Sequence, residues 1–214
     1  MKLSRMVERF TSNDAFEENI YVLYDRAAKE CIIIDPGAGA SEVIAFVEGE
    51  GCKVQSILAT HAHIDHVVSA PALVERFRSP FLVPKADLPL LDGIKEQADA
   101  FGYHFKGDVR ADGSFEGGAS FELGAHRIDV LHTPGHTPGS SCFFLDRNML
   151  FTGDTLFAGS IGRTDLPRGS PKDMVASLKK LAALPGLVVI YPGHDEESTI
   201  GEEKATNPYL RFTP

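Results

Sequence analysis

This chain of 214 residues has few cysteines, a deficit of positive charge and no long apolar run. Its three cysteines cannot all pair within one chain, and their spacing matches neither a disulfide framework nor a cysteine-based zinc motif. Lysine and arginine number 21 against 30 aspartates and glutamates, which gives a net charge of −9. This charge disfavours nucleic acid and anionic membranes as partners, because both attract basic surfaces.

The apolar runs, such as residues 187–191, are far shorter than the roughly 20 residues that span a bilayer. The opening segment, residues 1–14, is polar and lacks the apolar stretch of a secretory signal peptide. Together with the unpaired cysteines, these features predict a cytoplasmic protein of a reducing compartment, with no membrane partner. The composition, 43% hydrophobic and 24% charged, is ordinary for a globular protein, and the length favours one domain over residues 1–214.

Short apolar runs rich in β-branched residues recur along the chain and predict strands at 20–24, 31–35, 54–59, 81–83, 128–131, 142–145, 149–151 and 187–191. Helical patterns lie between them at 41–49, 66–77 and 86–101, and a further helix is expected to start at Ser170 as N-cap, with Pro171 in its first turn. The glycine-rich segment 107–124 is expected to form hairpins. This mixture predicts an α/β layered fold.

Three of the eight histidines lie close together in the segment THAHIDH, residues 60–66. Neutral imidazole and ionised carboxylate are good ligands for zinc and for iron. His61 and His63 can point the same way in a loop, and Asp65 and His66 can reach a second point one turn onward. A helix-capping role would need only one of these polar residues. The density of ligands therefore favours metal binding.

Three more potential ligands, His136, Asp154 and His194, each follow a predicted strand, and a glycine directly precedes each of them. Glycine permits backbone conformations and close approaches that larger residues resist. Open α/β sheets place their sites at such strand ends. The sequence therefore predicts that seven groups converge, namely His61, His63, Asp65, His66, His136, Asp154 and His194.

The HAHIDH segment at 61–66, with the three downstream ligands, resembles the metallo-β-lactamase-fold hydrolases over nearly the whole chain. The resemblance implies a four-layer αβ/βα sandwich of two facing mixed sheets, with the active site at one edge between them. It also implies two divalent metals, one held by His61, His63 and His136 and the other by Asp65, His66 and His194, with Asp154 bridging. Zinc is the expected metal, with iron or manganese as alternatives.

Three segments resemble, within this superfamily, the short-form glyoxalase II-like proteins: TPGHTPGS (133–140), FTGDTLF (151–157) and GRTD (162–165). Few residues follow His194, so the helical C-terminal segment with which full-length glyoxalase II enzymes help to grip glutathione is not expected. The segment NPYL (207–210) is similar to the ending of the short-form group.

The resemblance implies hydrolysis of a small-molecule thioester such as S-D-lactoylglutathione by a hydroxide that bridges the metals. Asp65 is interpreted as a ligand that could also position this hydroxide as a catalytic residue. Arg163 could bind substrate, although pairing with Asp165 is the simpler interpretation. Tyr103 and His104 could line a covering flap. The sequence makes no prediction of the oligomeric state.

Other functions remain open at this point. GRTD is shared with persulfide dioxygenases of the same fold, which use one iron. In this chain a single Fe(II) would be held by His61, His63 or His136 together with Asp154. A lactonase, a β-lactamase and a metal-binding protein without activity are weaker alternatives.

Overall fold

The computed structural model describes residues 6–103, 105 and 107–211, which contain two six-stranded sheets. The first sheet consists of β1 (Val7–Thr11), β2 (Asn19–Asp25), β3 (Glu30–Ile34), β4 (Lys53–Leu58), β5 (Phe81–Pro84) and β6 (Gly113–Phe115). The second consists of β7 (Ser120–Leu123), β8 (His126–His132), β9 (Ser141–Leu145), β10 (Met149–Gly153), β11 (Val189–Pro192) and β12 (Ser198–Thr199). The strands of each sheet neighbour one another in chain order.

Both sheets are mixed. In the first sheet, β1, β2 and β3 pair antiparallel, and β3 to β6 pair parallel. In the second sheet β10 and β11 pair parallel, and the other neighbours pair antiparallel. The helices are α1 (Ala40–Glu50), α2 (Ile64–Val67), α3 (Ala70–Phe77), α4 (Leu88–Asp92), α5 (Ile94–Phe101), α6 (Pro171–Ala182) and α7 (Ile200–Thr206). The α/β fold expected from the sequence is confirmed.

The two sheets face each other because their central strands are apolar on both sides. Successive side chains of a strand point to opposite faces. In β2, Ile20 and Val22 therefore pack toward the helices, whereas Tyr21 and Leu23 pack between the sheets. A third apolar cluster joins the second sheet to α6 and α7. Three apolar layers thus separate four layers of secondary structure, as the resemblance implied.

All eight predicted strands are present, with boundaries that differ by a few residues. The predicted cap of α6 is also confirmed, since the Ser170 hydroxyl accepts a hydrogen bond from the Asp173 N–H at 3.2 Å. The 66–77 pattern forms two helices, α2 and α3, with Pro71 in the first turn of α3. The 86–101 pattern is interrupted at Gly93, between α4 and α5.

The expectation of hairpins in 107–124 was wrong for the first half of this segment. β6 pairs with β5 in the first sheet, and β7 pairs with β8 in the second, so the segment crosses from one sheet to the other. The Asp112 carboxylate accepts the Phe81 N–H at 2.9 Å, and the Asp112 N–H donates to the Phe81 carbonyl at 2.8 Å. These two bonds dock the segment beside β5 instead of turning it back. Among the described residues, no helix combines the length and the apolar character that crossing a bilayer requires.

Candidate metal centre

Four strand ends meet at one edge of the two sheets. His61 and His63 lie in the loop after β4, while His136, Asp154 and His194 follow β8, β10 and β11. Asp65 and His66 belong to the first turn of α2. The sheets are joined here by a hydrogen bond from the Ser141 N–H to the Thr60 carbonyl, 3.0 Å long. The structure therefore brings together all seven side chains that the sequence singled out.

The first ligand group consists of His61, His63 and His136, all buried. The His63 Nδ1 atom lies 2.8 Å from His136 Nε2. The His61 ring centroid lies 4.8 Å from that of His63 and 4.7 Å from that of His136. Burial, reinforced by the neighbouring His136 imidazole, lowers the pKa of His63 to about 4. Burial also holds the pKa of His61 well below its usual value. Both rings are therefore neutral, which is the form that binds metals.

The second ligand group consists of Asp65, His66 and His194. The Asp65 Oδ2 atom lies 3.6 Å from His66 Nε2 and 3.4 Å from His194 Nε2. Asp154 stands between the two groups: its Oδ2 is 3.4 Å from His136 Nε2, and its Oδ1 is 3.3 Å from His66 Nε2. One carboxylate thus presents one oxygen to each group.

Opposite charges accumulate in the second ligand group. Burial disfavours ionisation of Asp154, but the imidazoles of His66, His194 and His136 outweigh it and hold the pKa of Asp154 well below its usual range. The pKa of Asp65 is lowered against burial in the same way, by His66 and His194. In return, these carboxylates outweigh the effect of burial on both imidazoles and raise the pKa of His66 and of His194. Protons and a metal cation would compete for these two nitrogens.

The unsatisfied atoms of the centre fit a divalent metal. His61 Nε2, His66 Nε2 and Asp154 Oδ1 are buried and have no hydrogen-bond partner. Buried polar atoms without a partner are rare and costly, so each calls for a binding partner. Within each ligand group the donor atoms lie within 4.8 Å of one another. Imidazole nitrogens together with carboxylate oxygens are the donors that zinc and iron accept.

Asp35 supports both ligand groups, which the sequence did not reveal. Its carboxylate accepts hydrogen bonds from the Thr60 N–H at 2.6 Å and from the Thr60 hydroxyl at 2.9 Å. The same hydroxyl lies 3.1 Å from His61 Nδ1, so it can accept that N–H and leave His61 Nε2 free to bind. Asp35 Oδ2 is also 3.2 Å from His66 Nδ1. Such partners orient metal-binding imidazoles. The available signal was that Asp35 directly follows the apolar run 31–34 at the end of β3, much as the ligands follow strands.

Asp87 joins the loops that carry the first ligand group. This buried carboxylate accepts hydrogen bonds from the Thr137 hydroxyl and the Gly139 N–H, both at 2.7 Å, and from the Ala62 N–H at 3.3 Å. Ala62 lies between His61 and His63, and Thr137 follows His136. One side chain therefore fixes both loops relative to each other. This role could not be read from the sequence, because the three donors are distant from Asp87 in the chain.

The opening above the ligands is a cavity of about 280 Å³. Its lining includes five of the predicted ligands, together with the apolar side chains Phe16, Phe101, Phe157 and Leu166. The five ligands are His63, Asp65, His136, Asp154 and His194.

Arg163 also lines this opening, where its exposed guanidinium forms two hydrogen bonds, of 2.7 and 2.9 Å, to the Asp165 carboxylate. Tyr103 stacks on Phe16 beside the opening, with ring centroids 5.2 Å apart. His104 lies outside the described residues.

Comparisons with known proteins agree with this architecture. The family model described as "Metallo-beta-lactamase superfamily" matches residues 13–194. The chain is 36% identical to hydroxyacylglutathione hydrolase GloC of Haemophilus influenzae, over 92% of this chain and 94% of that protein.

Several solved structures have the same fold. The structure described as BLEG-1 B3 metallo-beta-lactamase superposes with a TM-score of 0.88 at 33% identity, covering 97% of this chain and all of that chain. The structure of TTHA1623 in a di-iron-bound form superposes with a TM-score of 0.85 at 37% identity, covering 95% of this chain and all of that chain. The structure of ETHE1 from Myxococcus xanthus superposes with a TM-score of 0.77 at 26% identity, covering 94% of this chain and 83% of that chain. A metal-dependent hydrolase is the class of enzyme that these similarities support. The chain belongs to the metallo-beta-lactamase superfamily.

Proposed function

We propose that this protein is a binuclear metal-dependent hydrolase of small-molecule thioesters, of the hydroxyacylglutathione type exemplified by S-D-lactoylglutathione. The observation that carries the proposal is the position of Asp154, which presents one oxygen to each of two ligand groups. Similarity to a protein named hydroxyacylglutathione hydrolase supports the choice of substrate.

In this proposal His61, His63 and His136 hold one divalent ion, Asp65, His66 and His194 hold the other, and Asp154 contacts both. Zinc is the expected metal, and the di-iron form of a similar protein favours iron as the alternative. Two such ions would lower the pKa of a shared water to about 7 and would polarise a substrate carbonyl.

The side chains around the ions have separate tasks. The neutral rings of His61 and His63 supply lone pairs without a proton to displace. Asp65 lines the opening and lies 3.4 Å from His194 Nε2, so we assign it both a ligand role and the orientation of the attacking water. A leaving thiolate needs little help from an acid, since thiols have a pKa near 8.5. Burial raises the pKa of Cys31 to about 12 and that of Cys142 to about 11, so neither is suited to act as a nucleophile.

The direct test is to purify the protein without added metal, measure its metal content, and follow thiol release from S-D-lactoylglutathione. We expect two ions per chain and steady-state hydrolysis, both lost in His61→Ala. A fully metallated protein that leaves this thioester intact would reject the substrate assignment.

A persulfide dioxygenase with one Fe(II) is the second candidate, favoured by the GRTD segment and by the similarity to ETHE1. It predicts one iron per chain and oxygen uptake with glutathione persulfide. His194→Ala separates the two candidates, because the single-iron site does not use His194. Oxygen uptake that survives His194→Ala would support the dioxygenase, whereas the hydrolase requires this variant to lose most of its activity.

A further inference from the structure

The opening of the metal centre has two chemically different walls. The wall beside His194 carries the rings of Phe16, Phe101 and Phe157, which we call the aromatic wall. The Phe16 carbonyl accepts the His194 Nδ1–H at 2.8 Å, and the Phe157 ring centroid lies 5.8 Å from that of His194. The other wall carries Arg163, whose backbone carbonyl accepts the His136 Nδ1–H. Each wall is therefore attached to a different ligand group.

Contacts around Phe16 hold two rings of the aromatic wall, Phe16 and Phe101, in place. The Phe16 ring stacks on Tyr103 and meets Phe101 edge-on, with centroids 5.8 Å apart. The Tyr103 hydroxyl donates to Asp14 Oδ2 at 2.8 Å, and Asp14 Oδ1 accepts the Phe16 N–H at 3.0 Å. A wall that is already ordered binds an apolar group without a further entropic cost of ordering side chains.

Apolar surface at this wall is accessible to a ligand. Phe101 is 37% exposed, and the Phe16 and Phe157 side chains are half-buried. Among the described residues that line the opening, Arg163 is the single lysine or arginine, and its charge is already shared with Asp165. The opening thus offers an apolar group three aromatic rings, but offers an anionic group only one partly neutralised cation. Removing apolar surface from water favours binding on the aromatic side.

We infer that the aromatic wall selects the acyl group of the substrate, so that thioesters with an aromatic acyl group react faster than those with a small one. This inference rests on the proposed thioester hydrolysis. In it Phe16, Phe101 and Phe157 act as specificity-determining residues beside the second ligand group, and Arg163 contacts the thiol part of the substrate.

A matched pair of substrates tests the inference. S-D-mandeloylglutathione and S-D-lactoylglutathione differ only by a phenyl ring in place of a methyl group. We expect kcat/KM to be roughly tenfold higher for the mandeloyl thioester. In Phe16→Ala and in Phe101→Ala this preference is expected to fall to about one, whereas Arg163→Gln affects both substrates equally. A wild-type ratio of one or less, or a ratio unchanged in both phenylalanine variants, would overturn the inference.

Binding of the acid products gives a second readout that does not need turnover. Calorimetry on the metal-loaded protein is expected to show mandelate binding roughly tenfold tighter than lactate, with the difference lost in Phe101→Ala. Leu187→Ala is the matched control, because Leu187 is 91% exposed and does not line the opening. If neither thioester is hydrolysed but mandelate is still preferred, the proposed function fails and the aromatic wall stands. Equal binding of mandelate and lactate would overturn the inference that the aromatic wall selects the acyl group.

Discussion

The two proposed ligand groups differ in charge and in exposure. The first, His61, His63 and His136, is buried, and its first two rings are held neutral by burial. In the second, carboxylates accompany the imidazoles, and the side chains of Asp65 and His194 are 14% and 18% exposed. His61 and His63 therefore offer lone pairs without giving up a proton, whereas His66 and His194 must release protons before they bind a cation. We expect the first metal to be held more permanently than the second.

The largest loss of activity is expected at Asp154, the residue that faces both ligand groups. Asp154→Asn keeps the shape of the side chain but removes the charge that faces both groups. We expect kcat/KM for the thioester to fall by roughly a thousandfold, since stabilising charge at the reacting centre is lost. Steady-state kinetics and metal analysis check this result. Asp92→Asn, at the exposed end of α4, serves as the control; Asp154→Asn with wild-type activity would show that the groups are not coupled through this residue.

A substitution of Asp87 should weaken metal binding at the first ligand group selectively. Asp87→Ala leaves the Thr137 hydroxyl and the Gly139 and Ala62 N–H groups without their acceptor. We expect the free energy of unfolding to drop by about 2–4 kcal/mol. Metal affinity at the first group should fall by roughly 10- to 100-fold. Denaturant unfolding and metal titration measure the two effects, with Asp92→Ala as the control. An unchanged affinity would mean that the loops are held by other contacts.

A change at Gly193 should disturb the second group instead. A Cβ atom at this position would lie 2.5 Å from Asp154 Oδ1 and 2.7 Å from His66 Cε1. We expect Gly193→Ala to lower the free energy of unfolding by about 1–3 kcal/mol through overpacking, and to lower the content of the second metal. Thermal unfolding and metal analysis provide the measurements.

Gly49→Ala is the matched glycine control, since a Cβ there meets nothing within 4 Å. Gly49 lies within α1, where alanine is favoured, so this variant should gain about 0.5–1 kcal/mol. If Gly193→Ala behaved like Gly49→Ala, the close packing around the second group would have no energetic consequence.

Lowering the pH should release the metal of the second ligand group before that of the first. The pKa values of His66 and His194 are raised by carboxylates, so these rings take up protons as the pH falls, before His61 and His63 with their lowered pKa values do. Affinity at the second group should fall by about tenfold for each pH unit and each proton taken up. Metal content after dialysis at decreasing pH tests this prediction. Simultaneous release of both ions would contradict the difference between the groups.

Much of the fold could be predicted because strand signals are local. The eight predicted strands are short runs rich in apolar and β-branched residues, a pattern contained within each segment. β1 was missed because Glu8 and Arg9 interrupt its apolar pattern, and β12 because it has only two residues. The hairpin expectation for 107–124 was wrong for its first half because strand pairing across a sheet is decided by distant residues, here by the hydrogen bonds between Asp112 and Phe81.

The sequence by itself determined the chemistry of the centre: which imidazoles and carboxylates follow strands, and therefore which could converge. Ligand type and strand ends are properties of short segments. Only the tertiary structure decided what surrounds them, namely Asp35 beside His66, Asp87 between two loops, and the rings of Phe16 and Phe101 at the opening. These contacts join residues from separate elements, so they exist only after the sheets and their helices have packed, and no local pattern encodes them.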